Sequence, residues 1–188
     1  MSLEKLIAQF GSITEFPVKV DTVRDWIIKN NYQDEIYFIP TDIDENILRG
    51  QFRKYTRHNV TYGDPIFTTN ILYAESMNLC WERFVCCKEM MHIFDAPKAV
   101  SCTSEQIDAL TSSLVSSYIG NLSDSYLAEH DAVISALRVL APIGAIKKLN
   151  DAYGERKKSD YDIARYFRIP EMFVPILFSG DYQSLCDV

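Results

Sequence analysis

The stretch FVCCKEMMHIFD, residues 84–95, constrains the fold more than any other part of the chain. It is a nearly continuous apolar run that is interrupted by Lys88, Glu89 and His92. The segment from about 78 to 94 has a helical pattern, and on a helix these three side chains fall within an arc of about 100°. A helix that is apolar on its other sides is buried, so the polar arc must face charged or polar groups inside the protein.

A second predicted helix, from about 124 to 140, carries a group that could face this arc. Glu129 shares a helical face with the small side chains of Ala132 and Ala136. Small side chains let two helices approach closely, so the pattern favours Glu129 lying opposite the polar arc. Glu129 could instead be solvated, and His92 could be a core histidine bonded to a backbone carbonyl. For each residue alone, solvation of Glu129 or a core role of His92 is favoured. The occurrence of both residues together with Lys88 and Glu89 argues against these interpretations.

The rest of the chain predicts a single α+β domain over residues 1–188. A helix follows Pro17, and two or three antiparallel strands are expected between about 35 and 75. A further helix is expected near 104–119, and short helices alternate with polar turns after Pro142. A core at 1–142 is thus followed by a helical extension at 143–188.

Composition narrows the classes of partner and compartment. The net charge is −7, which argues against a general nucleic-acid-binding surface. No apolar run is long enough to span a bilayer, and the first residues lack the pattern of a secretory signal. We therefore expect a cytoplasmic protein without a membrane partner. The five cysteines include no C-x-x-C pair, which favours buried thiols over disulfides or a cysteine-rich zinc site.

Three segments resemble the ImmA/IrrE family of zinc-dependent endopeptidases. ERFVCCKEMMHIF resembles the family's R-F-x-x-x-H-E-x-x-H segment, and EHDAVISALRVLAP matches its E-x-x-A-x-x-x-A-x-x-L-L-M-P helix in spacing. SDYDIARYFRIPEMFVPILF resembles the closing helical pair, and PVKVDTVRDWI the opening helix. The resemblance implies a zincin-like domain with a small antiparallel sheet, a motif helix, a glutamate-bearing helix and C-terminal helices.

By position, the resemblance makes His92 and Glu129 zinc ligands and Glu89 the general base. Lys88 occupies the first ligand position, where the family has histidine, and an ammonium group has no lone pair to give a metal. Lys88 can instead place a positive charge between the two glutamates. The residues therefore favour an internal salt-bridge network without zinc over a zinc site.

Two functions follow from the resemblance. The first is a catalytically impaired domain that acts as a binding or regulatory module towards a helix-turn-helix transcription regulator, as in prophages, other mobile elements or stress responses. The second is an active zinc-dependent endopeptidase that cleaves a repressor-type protein, with Glu89 as general base. It would need Lys88 as a neutral ligand, or another ligand such as His58 or His130.

Overall fold

The computed structural model describes residues 2–30, 32–57, 66–95 and 124–186, which contain three strands and eight α-helices. The strands are β1 (Glu35–Thr41), β2 (Gly50–Arg57) and β3 (Ile66–Ala74). The helices are α1 (Leu3–Gly11), α2 (Val20–Lys29), α3 (Leu79–Met91), α4 (Asp124–Leu140), α5 (Ile143–Gly154), α6 (Asp160–Phe167), α7 (Val174–Leu177) and α8 (Gly180–Cys186). Two 3-10 turns, His92–Phe94 and Glu171–Phe173, complete the described elements. The predicted α+β class is confirmed, and the helix predicted near 104–119 lies outside the described residues.

The sheet has the strand order β1-β3-β2 and is mixed. β2 and β3 pair antiparallel, from Gly50 opposite Tyr73 onwards, whereas β1 runs parallel to β3, with Thr41 opposite Ala74. The predicted antiparallel sheet is therefore wrong for β1. The physical reason is topological. The chain leaving β1 passes the end of the central strand β3 and enters β2 on its other side, running in the opposite direction to β1. Since β3 is antiparallel to β2, it runs parallel to β1.

Helix α3 is buried on nearly all sides, as its apolar pattern predicts. Asn78 caps it, because its side-chain oxygen accepts hydrogen bonds from the backbone N–H groups of Cys80 at 3.0 Å and Trp81 at 3.2 Å. The helix contacts α4, β2 and β3. Cys86 and Cys87 are free, buried thiols, and burial raises the pKa of Cys87 to about 12.

The C-terminal helices share one hydrophobic cluster with the rest of the described chain. This cluster extends from Leu6 in α1 to Tyr182 in α8. At its edge the rings of Phe84 in α3 and Phe173 lie with their centroids 4.3 Å apart, so the segment after Pro142 packs directly against the motif helix. Among the described helices, none is both long enough and apolar enough to cross a bilayer.

Candidate functional site

Helices α3 and α4 bring together the charged side chains predicted to meet. Lys88 Nζ lies 2.8 Å from Glu89 Oε1 and 2.6 Å from Glu129 Oε2, so one ammonium group bridges two carboxylates. The small side chains of Ala132 and Ala136 are buried on α4, which allows this close approach. The side chain of Glu89 is 4% exposed and that of Glu129 is 44% exposed, so the network runs from the interior to the solvent.

His92 joins the network from the 3-10 turn that follows α3. Its Nδ1 lies 2.6 Å from Asp95 Oδ2, and this hydrogen bond directs Nε2 towards the two glutamates. Nε2 is 3.2 Å from Glu129 Oε1 and 3.8 Å from Glu89 Oε2. Nε2 is buried but makes no hydrogen bond of good geometry within the described residues, so its contact with Glu129 acts mainly through charge.

Asp95 is the functional residue that the sequence reasoning missed. It lies three residues after His92, just beyond the 3-10 turn, and it fixes the orientation of the ring. The available signal was the H-x-x-D spacing at the end of the motif helix. Residues three apart on a helical turn are neighbours, so the spacing places the carboxylate within reach of the imidazole.

The pKa values of Lys88, His92 and Glu129 are shifted so that these three groups are ionised together at neutral pH. Burial alone would lower the pKa of His92, but the hydrogen bond with Asp95 and the nearby Glu129 outweigh it and raise the pKa to about 9. Burial alone would raise the pKa of Glu129, but His92 and Lys88 lower it to about 2. For Lys88, the charges of Glu89 and Glu129 overcome desolvation and raise the pKa above its ordinary value. Two cations thus stabilise the carboxylates around them.

A cavity of about 300 Å³ lies over this network. Its lining is mostly apolar, with Trp81, Val85 and Phe173 among its residues and Lys88 on its polar side. Gly50, the first residue of β2, also lines it. A Cβ on Gly50 would clash with Val85 Cγ1 and lie 3.1 Å from Glu89 Oε1, so the absence of a side chain there lets the strand approach α3.

The donor set in this arrangement does not fit a zinc ion. The resemblance supplies two ligands, His92 and Glu129, but the ammonium of Lys88 contacts Glu129 and has no lone pair to donate. Within residues 2–30, 32–57, 66–95 and 124–186, no three His, Cys, Asp or Glu side chains are grouped so that they could hold a metal ion. His130 is exposed beside Asp131, and His58 lies outside the described residues.

Comparisons of the chain with protein-family models, curated proteins and solved structures found no match. The cluster formed by Lys88, Glu89, His92, Asp95 and Glu129, called the Lys88 network below, is the chemically distinctive feature of the described part of the chain. It can hold five charges in fixed positions beside a cavity that admits an apolar group.

Proposed function

We propose that this chain is an ImmA/IrrE-like domain that has lost zinc-dependent hydrolysis and acts as a binding or regulatory module towards a helix-turn-helix transcription regulator. The observation that carries the proposal is the position of Lys88 Nζ, 2.8 Å from Glu89 and 2.6 Å from Glu129. The lysine satisfies both carboxylates that the resemblance assigns to catalysis and metal binding. The partner class and the zincin-like fold rest on the resemblance alone.

The charge state of the network supports a binding role over hydrolysis. A general base must be able to accept a proton, but Glu89 is held within hydrogen-bond distance of a fully charged ammonium. His92 is protonated at neutral pH because its pKa is raised to about 9, so a metal would have to displace this proton in order to bind. The polar side of the cavity is thus already neutralised, and the apolar lining can accept a side chain from a partner.

Zinc binding tests the first half of the proposal. Protein purified without added zinc would be analysed by elemental mass spectrometry and then titrated with zinc, beside the Lys88→His and His92→Ala variants. We expect no stoichiometric zinc in the parent and about one zinc per chain in Lys88→His, because that change supplies the missing ligand. One zinc in the parent that is lost in His92→Ala would contradict the proposal.

The partner requires a separate test. Helix-turn-helix regulators from the same genome would be co-expressed with the chain, and the intact mass of each regulator would be measured in the purified complex. An uncut regulator in a stable complex supports the binding module. A cleaved regulator contradicts the loss of hydrolysis, and the lack of a complex with every regulator tested contradicts the partner class.

One observation favours the alternative of an active zinc endopeptidase. The Nδ1 of His92 is held by Asp95, and this leaves the buried Nε2 facing Glu129; in metal sites a carboxylate on the far ring nitrogen orients the histidine in the same way. In this alternative His92 and Glu129 are ligands and Glu89 is the base. Lys88 must then either lose its proton and act as a ligand, or move away so that another residue can supply the third ligand. The zinc titration separates the two functions directly.

A further inference from the structure

An exposed apolar face lies beside the Lys88 network. A groove of about 610 Å³ runs between the start of α3 and the segment from α6 to the second 3-10 turn. Trp81 and Met172 line both this groove and the cavity over Lys88, so the two form one continuous surface. The large apolar side chains exposed on it come from the β1–β2 loop, α3, α6 and the turn at 171–173: Ile47 (82%), Leu48 (39%), Leu79 (52%), Tyr161 (59%) and Met172 (63%). This surface is called the Met172 face below.

Exposed apolar side chains are common when they are scattered singly, but several on one groove mark an interaction site. Leu79 and Met172 both line the 610 Å³ groove, and Ile47 lies on the adjoining cavity wall. Arg49 continues the surface, because its guanidinium carbon lies 3.9 Å from the centroid of the Trp81 ring. The face therefore presents a connected apolar centre rather than isolated residues.

The two segments that border the Met172 face differ in charge. The β1–β2 loop, which supplies Ile47, Leu48 and Arg49 to the cavity wall, also carries Asp42, Asp44 and Glu45, and a hydrogen bond of 3.1 Å from Ser76 Oγ to Glu45 ties this loop to the turn before α3. At the other end Arg165 and Arg168 line the groove. Both arginines are exposed, and Arg165 interacts electrostatically with Asp162, three residues earlier in α6. Glu171 is the one acidic residue in the groove lining beside them.

We propose that the Met172 face is the interface of a homodimer, in which the acidic β1–β2 loop of each copy lies against Arg165 and Arg168 of the other. A twofold axis through an apolar centre brings each end of a face onto the opposite end of its copy. In the dimer the acidic end of each copy contacts the basic end of the other copy, and the two apolar centres pack against each other. Charge complementarity selects a second copy as the occupant, because the same chain carries both halves of the pattern.

The overall charge opposes self-association unless opposite charges meet locally. Two chains with a net charge of −7 repel each other, so association needs a region where opposite charges meet and apolar surface is buried. Dimerisation would also cover the mouth of the cavity over Lys88, since Ile47, Trp81 and Met172 line it. The inference stands independently of the proposed function, because it uses no metal, no hydrolysis and no regulator.

Sedimentation equilibrium across a concentration series tests the interface with two charge-reversal variants. The basic-end variant is Arg165→Glu/Arg168→Glu, and the acidic-end variant is Asp42→Lys/Glu45→Lys. We expect the parent to be dimeric, each variant alone to be monomeric, and an equal mixture of the two to form a heterodimer. In the mixture all ends of one copy are acidic and all ends of the other are basic, so both contacts become attractive again.

Matched controls exclude a general effect of charge or of unfolding. Lys5→Glu/Lys148→Glu changes the net charge by the same amount as the basic-end variant at exposed residues of α1 and α5, and we expect it to remain dimeric. Met172→Asp is expected to be monomeric, with the helical circular dichroism of the parent. A monomeric parent, or a mixture that stays monomeric, overturns the inference. A monomeric parent that binds an acidic peptide or a phosphate-rich ligand through the two arginines assigns the face to another occupant and overturns it as well.

Discussion

Replacing Lys88 with methionine removes one buried charge while keeping most of the volume of the side chain. The change leaves Glu89, which is 4% exposed, with His92 Nε2 at 3.8 Å as its nearest cation. Removing one partner of a buried ion pair costs about 3–5 kcal/mol. Glu129 is 44% exposed, so water screens its share of the loss, and we expect a decrease of about 2–4 kcal/mol in the free energy of unfolding.

The pH dependence of this loss identifies its cause. The ion pairs that Lys88→Met removes stabilise the parent only while the carboxylates are charged, and acid removes that charge. The destabilisation relative to the parent should therefore be complete at neutral pH and shrink in acid. The parent itself loses stability in acid, because the pKa of Glu129 is lowered to about 2 from 4.5: its contribution is present above 4.5 and disappears as pH falls through about 2.

Urea denaturation of the parent and the variants over a pH series measures both effects. Lys148→Met is the matched control, since Lys148 is exposed on α5, and we expect a change within about 0.5 kcal/mol. Lys88→Met/Glu89→Gln removes the lysine and the buried carboxylate charge together, and should be less destabilised than Lys88→Met alone. A Lys88→Met variant as stable as the parent, or a loss that is independent of pH, would refute the buried salt-bridge network.

Three further predictions concern the residues around Lys88. The pKa of His92 is about 9 against an ordinary 6.5, so the protonated imidazole contributes about 3 kcal/mol to the free energy of unfolding below pH 6.5, and this contribution is lost as pH rises through 9. Urea denaturation between pH 6 and about 10 should show the loss of stability, and a His92→Gln variant should lack this pH dependence. Asp95→Asn should lower the pKa of His92, which an NMR titration of the imidazole measures directly; an unchanged pKa would contradict the role given to Asp95. Gly50→Ala should cost about 1–3 kcal/mol in urea denaturation because the new methyl group overlaps Val85, whereas Gly11→Ala, with no neighbour within 4 Å, should cost much less.

The sequence predicted the motif helix and the Glu129 helix, did not predict α1, and predicted the sheet only in part. The motif helix and the Glu129 helix have strong apolar patterns, and α3 and α4 lie where these patterns place them. Strand direction is different, because a strand's own residues do not determine which neighbour it pairs with. The parallel pairing of β1 with β3 depends on the course of the chain after Thr41, and the residues of β1 and β3 do not predict this course.

The site could be predicted to the extent that it depends on helix faces. Lys88, Glu89, His92 and Glu129 meet because helical periodicity fixes where each side chain points. Asp95 could not be assigned in the same way, since it lies beyond the end of α3 and its position depends on the 3-10 turn. The role of Gly50 depends on a long-range approach of β2 to α3, which the sequence does not show.

The charges of the Lys88 network explain how it can be stable without a metal. Glu89, Glu129 and Asp95 bring three negative charges, and Lys88 and protonated His92 bring two positive charges within hydrogen-bond or ion-pair distance of them. A dication with a neutral histidine would supply the same two positive charges. Lys88 neutralises part of the carboxylate charge, whereas its own positive charge opposes the protonation of His92, which Asp95 and Glu129 favour. Changing Lys88 to a neutral residue should therefore leave Glu89 and Glu129 without their ammonium partner and destabilise the fold.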